Sequence, residues 1–429
     1  MTDVNVQYFS HLNGLSLGNN WGDLINLLDV CLVNGLPFSS ITSATISELG
    51  DINLTLSTAH NAMLFQLVEL SGFSPSTLNK KYRIKGVPST TQLILKADLS
   101  NTIISAVGNA KLASLGYDLA FTAQGKRVYR AKNPNAQHPF IRVDETLSDG
   151  SNTYNQSYAK YAMVGLIENM THIDDYEDPT KLQLPLDTTD LKKNWKITGT
   201  GTDVIRGWSR WYYARSAELY NPSADTITPT TNSRAFTLVG DSDAFYFCPA
   251  VASSAGFKQV LGCGLYHSNE QSMGQEWFLM TLPSLYSAST SFDATALNAG
   301  WSLNYRPLCS KFLVNKRNYL TNKTSHTLAM PLYPYALNTS TNVIETLDSY
   351  KSGRNSFTAN PSMIEIPFID DDKNLRGTLK HVCFICGRLD LNNAMTTPII
   401  QDKSMYVIDG STVSNGNTGV MAYYLGDIE

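Results

Sequence analysis

Hydrophobic positions recur at two different spacings along this chain, and the change from one to the other marks its organisation. Between Trp21 and Gly35, the apolar residues Trp21, Leu24, Ile25, Leu28, Cys31 and Leu32 fall at i, i+3, i+4 and i+7, with Asp23, Asn26 and Asp29 opposite them. A 3.6-residue period predicts one amphipathic helix. Asn20 stands where its side chain would cap the helix start, and Gly35 where a left-handed residue would end it. From Ser43 the period shortens towards two. Asp51-Ile-Asn-Leu-Thr-Leu56 alternates, and Tyr82–Ile84 and Leu93–Leu95 follow after short polar turns. Leu64–Leu70 is apolar without alternation, which fits either a strand or a short helix. Up to four strands at regular spacing predict a small closed barrel or sandwich. This module is the nearest apolar partner for the helix stripe.

Beyond residue 100 the pattern stays β-rich but less regular. Lys126–Arg130 and Phe140–Val143 read as strands joined through an Asn133-Pro-Asn turn. Phe236–Val239 and Ala244–Cys248 flank Gly240-Asp-Ser-Asp243, a hairpin signal. Further strands are expected at Gln275–Leu279, Met363–Phe368, Lys380–Ile385 and Met405–Ile408. The expected fold is mainly β: an N-terminal arm and amphipathic helix (1–40), a small barrel or sandwich module (41–100), and a larger, irregular, sandwich-like region (101–429) with a division near 250 as one option.

Composition narrows the function. Charged residues make up only 16% of the 429-residue chain, below the ~25% of an average domain. Ser, Thr and Asn replace them, giving the neutral, hydrogen-bonding surface common in extracellular and particle-forming β proteins. A net charge of -4 argues against nucleic-acid binding, which draws on clustered Lys and Arg. The one basic run, Lys126-Arg127 with Arg130 and Lys132, reads as a solvated strand face. No signal peptide is expected at Met1-Thr-Asp-Val, and no apolar run approaches the ~20 residues of a spanning helix. The six cysteines are expected as reduced thiols. Cys383 and Cys386 have CxxC spacing, but residues three apart on a strand point to opposite faces and chelate poorly.

None of the common catalytic signatures is present, and no metal or cofactor is expected. His60 reads as a turn residue. The acidic stretches His172–Asp178 and Asp370–Asp372 could supply oxygen ligands for Ca²⁺, but lack EF-hand alternation; solvated loops are the simpler expectation. Trp208, Trp211, Tyr212 and Tyr213, with Arg210 and Arg215 among them, have the composition of a sugar-binding or interface surface. The simpler alternative is a strand whose rings fill the core.

The helix end Leu28-Asp-Val-Cys-Leu-Val-Asn-Gly35, followed by His60, Ser71-Gly72, Leu78-Asn79, Tyr82 and Ser89-Thr90-Thr91, resembles a family of tailed-bacteriophage virion structural proteins. Tyr129-Arg130, Phe140–Asp144, Gly240–Tyr246 and Arg376–Leu379 look like further landmarks. The likeness is densest over the first third of the chain. It departs at Asn61 and Lys80, where the family has glycine, so those turns are expected to strain against positive φ. The resemblance carries over no catalytic residue. It implies a structural component of the virion, in the tail or baseplate, present in several copies in a symmetric assembly with other virion proteins and without membrane insertion. Assembly is expected through the N-terminal arm, the β module and the helix stripe Trp21, Leu24, Ile25 and Leu28. Alternatives are a receptor-recognition protein binding bacterial surface glycan through the Trp208–Tyr213 aromatics, or a capsid decoration or collar protein. A polysaccharide-cutting enzyme is the weakest of the options.

Overall fold

The computed structural model describes residues 5–135, 137–147, 157–186, 190–192, 194–198, 205–207, 209–214, 228–250, 258–269, 276–283, 312–318, 323–331, 335–338, 343–346, 362–365, 367–386, 396–414 and 417–428. The chain is mainly β, as the alternation predicts, with antiparallel sheets throughout the described residues.

The first sheet has seven strands in the order Leu36–Pro37, Asn109–Leu112, Leu67–Ser71, Lys81–Ser89, Gln92–Leu95, Ile52–Leu56, Ile41–Ile46. Its two edge strands are separated by only three residues, Phe38 to Ser40, so the sheet must curl until its edges approach. Lys81–Ser89 supplies the bend: it pairs with Leu67–Ser71 at its start and with Gln92–Leu95 further on, and in the second pairing its register shifts twice, around Gly86. Ile52, Leu54, Leu56, Leu93 and Leu95 face inward and are buried, as a period of two requires. The module reaches Leu112 rather than stopping near 100, because Asn109–Leu112 inserts between Leu36–Pro37 and Leu67–Ser71. Neither Asn61 nor Lys80 adopts a positive φ; that conformation falls on Phe65 instead. The resemblance misplaced the strained position.

The helix is shorter and less regular than its pattern suggests. Residues Asp23–Leu28 are α-helical, and Asp29–Asn34 continue with wider turns, closed by Gly35 N–H donating to Val30 O at 2.8 Å. Gly35 has φ +73°, and a Cβ there would sit 2.3 Å from Leu112 O, so glycine is required by both conformation and space. Asn20 is not the side-chain cap. Gly22 turns the chain with φ +92°, and the Asp23 carboxylate accepts the Asn20 N–H at 2.9 Å.

The apolar stripe is also placed differently from expectation. Leu24, Ile25 and Leu28 are buried inside this chain's own core, with Trp21 packed half-buried against it. They are not available to a partner. The helix lies against the Tyr117–Ala123 strand of a second sheet rather than on the first module alone. Arg127 pairs with Asp29 at 3.1 Å, Tyr129 Oη donates to Asp29 at 2.7 Å, and the Glu145 carboxylate accepts the Ile25 N–H at 3.1 Å. This second sheet runs Leu282–Pro283, Ser209–Tyr212, Tyr161–Ile167, Phe140–Asp144, Lys126–Ala131, Tyr117–Ala123.

The third sheet has nine strands, six of which form a closed barrel. Leu261–Ser268, Trp277–Met280, Phe312–Asn318, Lys323–Pro331, Pro367–Asp370 and Leu375–Leu379 pair in that order, and Tyr266–Ser268 then pairs with Gly377–Leu379 to close the ring. Tyr266 and Phe368 meet at 4.9 Å and Phe312 and Phe368 at 5.0 Å across strands that are not neighbours, so these rings fill the barrel interior. A Cβ on Gly377 would lie 1.9 Å from His267 O; the closure needs glycine there. Leu261–Ser268 also pairs with Ala244–Pro249, which forms the expected hairpin with Phe236–Gly240. Strands on either side of residue 250 are therefore neighbours in one sheet.

The N-terminal arm completes that sheet. Gln7–Ser10 pairs antiparallel with Phe236–Gly240 and is buried along its length. A fourth, five-stranded sheet runs Ser362–Ile364, Val382–Cys386, Asn417–Asp427, Ser404–Ser414, Thr397–Gln401. One continuous hydrophobic core runs through residues of all four sheets.

Candidate functional site

Most residues that looked chemically suggestive serve this chain's own packing. Trp211 is fully buried, with its Nε1–H donated to Met280 O at 2.9 Å and its ring against Phe245 and Phe247. Tyr213 is buried too, its hydroxyl held by Glu145 and Asn20 O. Tyr212 is half-buried, its ring tilted against Tyr161 with centroids 4.8 Å apart, while Trp208 lies outside the described residues. A glycan platform built on Trp211 and Tyr213 is therefore corrected: their side chains face the core, where Trp211 sits between aromatic rings.

The basic run is not a free solvated face. Lys126 pairs with Asp174, Arg127 with Asp29, and Arg130 lies 4.3 Å over the Phe140 ring. The 172–178 acidic loop is likewise tied down: Arg142 reaches Asp174 at 3.0 Å and Lys181 reaches Asp175 at 2.8 Å. Asp174 sits below the ordinary carboxylate range: burial works against this, but Lys126 and Arg142 outweigh it. Asp370 is buried and folds the 370–374 turn by accepting the Asn374 N–H at 2.9 Å. His60 sits in a turn, with Nδ1 accepting the Ala62 N–H and Nε2 therefore donating to Gln92 O. Cys383 and Cys386 lie on the Val382–Cys386 strand, as expected.

A polar cluster that the sequence did not single out gathers at the 240–243 hairpin. His138 Nε2 meets Asp243 at 2.7 Å, Lys380 also reaches Asp243, and His381 Nε2 meets Asp241 at 3.0 Å. His138 Nδ1 accepts the Asn135 N–H, so its Nε2 carries the proton donated to Asp243. These groups pin the second sheet and the 380–381 turn to the hairpin; they come from segments more than 100 residues apart, which spacing cannot reveal.

Two surface features are not consumed by internal packing. The first is a sheet edge. Among the described residues, three strands of five or more residues have a partner on one side only: Ile41–Ile46, Tyr117–Ala123 and Thr397–Gln401. Thr397–Gln401 carries Pro398, which blunts pairing, and Tyr117–Ala123 carries Asp118 and supports the helix. Ile41-Thr-Ser-Ala-Thr-Ile46 has no charge, proline or glycine. Ser47 N–H donates to Asp51 O at 2.8 Å. The antiparallel alternation therefore bonds Thr45 to Asn53 and leaves the N–H and C=O of Ala44 and Ile46 pointing outward.

The second is a cleft of about 580 Å³ between the first module and the strand Asn417–Asp427. Lys81, Arg83 and Lys85 alternate on one strand and so share the face that lines it. Arg83 is a clip: it donates to Val6 O, Phe65 O and Leu425 O, each at 2.8 Å, joining module, arm and final strand. Burial lowers the Lys81 pKa, opposed by Glu69. Burial pushes the Tyr424 hydroxyl up to about 12, with the Asp427 carboxylate adding to the effect.

No protein-family model matches the chain, and no curated protein matches it. No helix among the described residues is long and apolar enough to cross a membrane.

Proposed function

We propose that this chain is a structural component of a tailed-bacteriophage virion, located in the tail or baseplate and acting through protein–protein assembly rather than catalysis. The family resemblance of the Trp21–Lys96 segment motivates the virion assignment. The unprotected Ile41–Ile46 edge is the observation that supports assembly. Folded β proteins ordinarily guard such an edge with charge, proline or a covering element, because its open N–H and C=O groups template a further strand. Here the edge is neutral, and its outward groups at Ala44 and Ile46 fit an added strand from a neighbouring subunit. The helix stripe plays no part in this contact, since it is core.

Two experiments test the proposal. Mass spectrometry of purified phage particles is expected to find this chain at stoichiometric abundance; particles without it would overturn the virion role. Ala44→Pro removes one outward N–H without touching the ladder to Ile52–Leu56. The variant is expected to melt within a few degrees of the parent and yet fail to enter particles. Normal incorporation of folded Ala44→Pro would remove the edge from the assembly mechanism.

A further inference from the structure

The cleft beside Arg83 sets a cationic wall against an apolar one. One wall is cationic: Lys80, Lys81, Lys85 and Lys96 stand along it. Lys85 is neutralised by Asp51 at 2.6 Å and Lys81 donates to Ser114 O, but Lys80 meets only the face of Tyr82, at 5.4 Å, and Lys96 has no carboxylate partner among the described residues. The opposite wall is apolar and unusually bare, with Ile400 at 55% and Ile428 at 37% exposure.

Two acidic groups line the cleft, Asp98 and Asp427, and of these Asp427 is already engaged. It accepts from Ser404 Oγ at 2.6 Å and interacts with Tyr424, which holds its carboxyl below the ordinary range. Lys80 and Lys96 outnumber the one remaining carboxylate, Asp98, so the cleft carries net positive charge against exposed apolar surface. Its volume lies within the ~300–1,000 Å³ of ligand sites. Neither a free inorganic anion nor a purely apolar segment complements both walls.

We propose that this cleft binds an extended acidic peptide segment of a partner protein, with carboxylates set against Lys80 and Lys96 and apolar side chains against Ile400 and Ile428. This site is separate from the Ile41–Ile46 edge and stands whether or not that edge pairs.

Calorimetric titration of the full chain with synthetic octapeptides tests this. Alternating Glu-Leu peptide is expected to bind, and Lys-Leu peptide not to. Glu-Gly peptide is expected to bind roughly tenfold more weakly, because it leaves Ile400 and Ile428 uncovered. Lys80→Glu and Lys96→Glu are each expected to weaken Glu-Leu binding roughly tenfold with an unchanged melting temperature. Should either variant fold poorly, hydrogen exchange on the parent chain serves instead, with protection on adding Glu-Leu peptide expected at residues 80–85 and 424–428. Equal binding of Glu-Gly and Glu-Leu would reduce the cleft to a simple anion site and overturn the proposal. So would equal binding of inorganic phosphate, or protection elsewhere than these two segments.

Discussion

Single buried side chains in this protein do the joining that secondary structure does not. Gln7 is fully buried; its amide nitrogen donates to Leu67 O and Ala113 O, and its carbonyl accepts the Leu67 N–H. Lys258 is fully buried as well, bonded to both oxygens of Asp409 at 2.9 and 2.7 Å and to the hydroxyls of Thr237 and Thr396. Removing only the cation strands a carboxylate in the core. Lys258→Met should therefore cost about 3–5 kcal/mol in urea unfolding, whereas Lys258→Met with Asp409→Leu should recover most of it. Acid sensitivity belongs to the hairpin cluster. Burial opposes ionisation of Asp241, but the His381 hydrogen bond and charge outweigh it, and Asp243 is lowered chiefly by His138 and then by Lys380. A carboxylate whose pKa is lower in the folded state stabilises above its unfolded value, near ~4, and loses that contribution as pH falls through the folded value. Stability is thus expected to decline below about pH 4. Asp243→Asn should lower the melting temperature at pH 7 and flatten the decline between pH 5 and 3; an unchanged slope would assign the acid sensitivity to other carboxylates.

Elements were legible where their pattern was local. Ile52–Leu56 alternates cleanly, Leu93–Leu95 is a short apolar run after a polar turn, and the 236–249 hairpin is announced by Gly240–Asp243; all three stand where the pattern put them. Leu67–Ser71 resolves as a strand inside the sheet: Val68 and Leu70 face the core, Glu69 and Ser71 reach the surface on the other side, and Leu67, which breaks the alternation, is buried and bonded to Gln7. The helix was visible as a period, but its partner was not. A stripe of apolar residues says that something covers it, but not what; Tyr117–Ala123, which packs on the Asp29–Asn34 end of the helix, lies roughly ninety residues away, beyond the reach of pattern. Trp211 and Tyr213 show the same ambiguity: aromatics two apart share a strand face, and nothing local says whether that face meets solvent or Phe245 and Phe247. The edge and the cleft were missed for the opposite reason. Ile41–Ile46 is notable for the charges it lacks, and the cleft exists only because Lys80–Lys85 and Tyr424–Ile428 are brought together.

At the scale of the whole molecule, barrel closure and the arm decide the topology. His267 pairs with Thr378, and Gln7 with Gly240, contacts separated by more than 100 residues. The arm ties the first module to the large sheet, through Gln7 and Arg83 on one side and Phe236–Gly240 on the other. Deleting residues 1–13 should therefore split one calorimetric transition into two, or lower its midpoint by at least several degrees; a single unshifted transition would show that the shared core suffices without the arm. The same arm orders events during synthesis. Its β partner emerges from the ribosome roughly 10–50 s after it does, at ~5–20 residues per second. Tyr8 Oη reaches Leu64 O at 2.6 Å, and the Gln66 amide reaches Tyr8 O at 2.8 Å, so the arm has docking groups within its first seventy residues. The nascent chain can thus park Tyr8 and Phe9 on the first module, holding ready one strand of a sheet whose remaining strands have not yet been made.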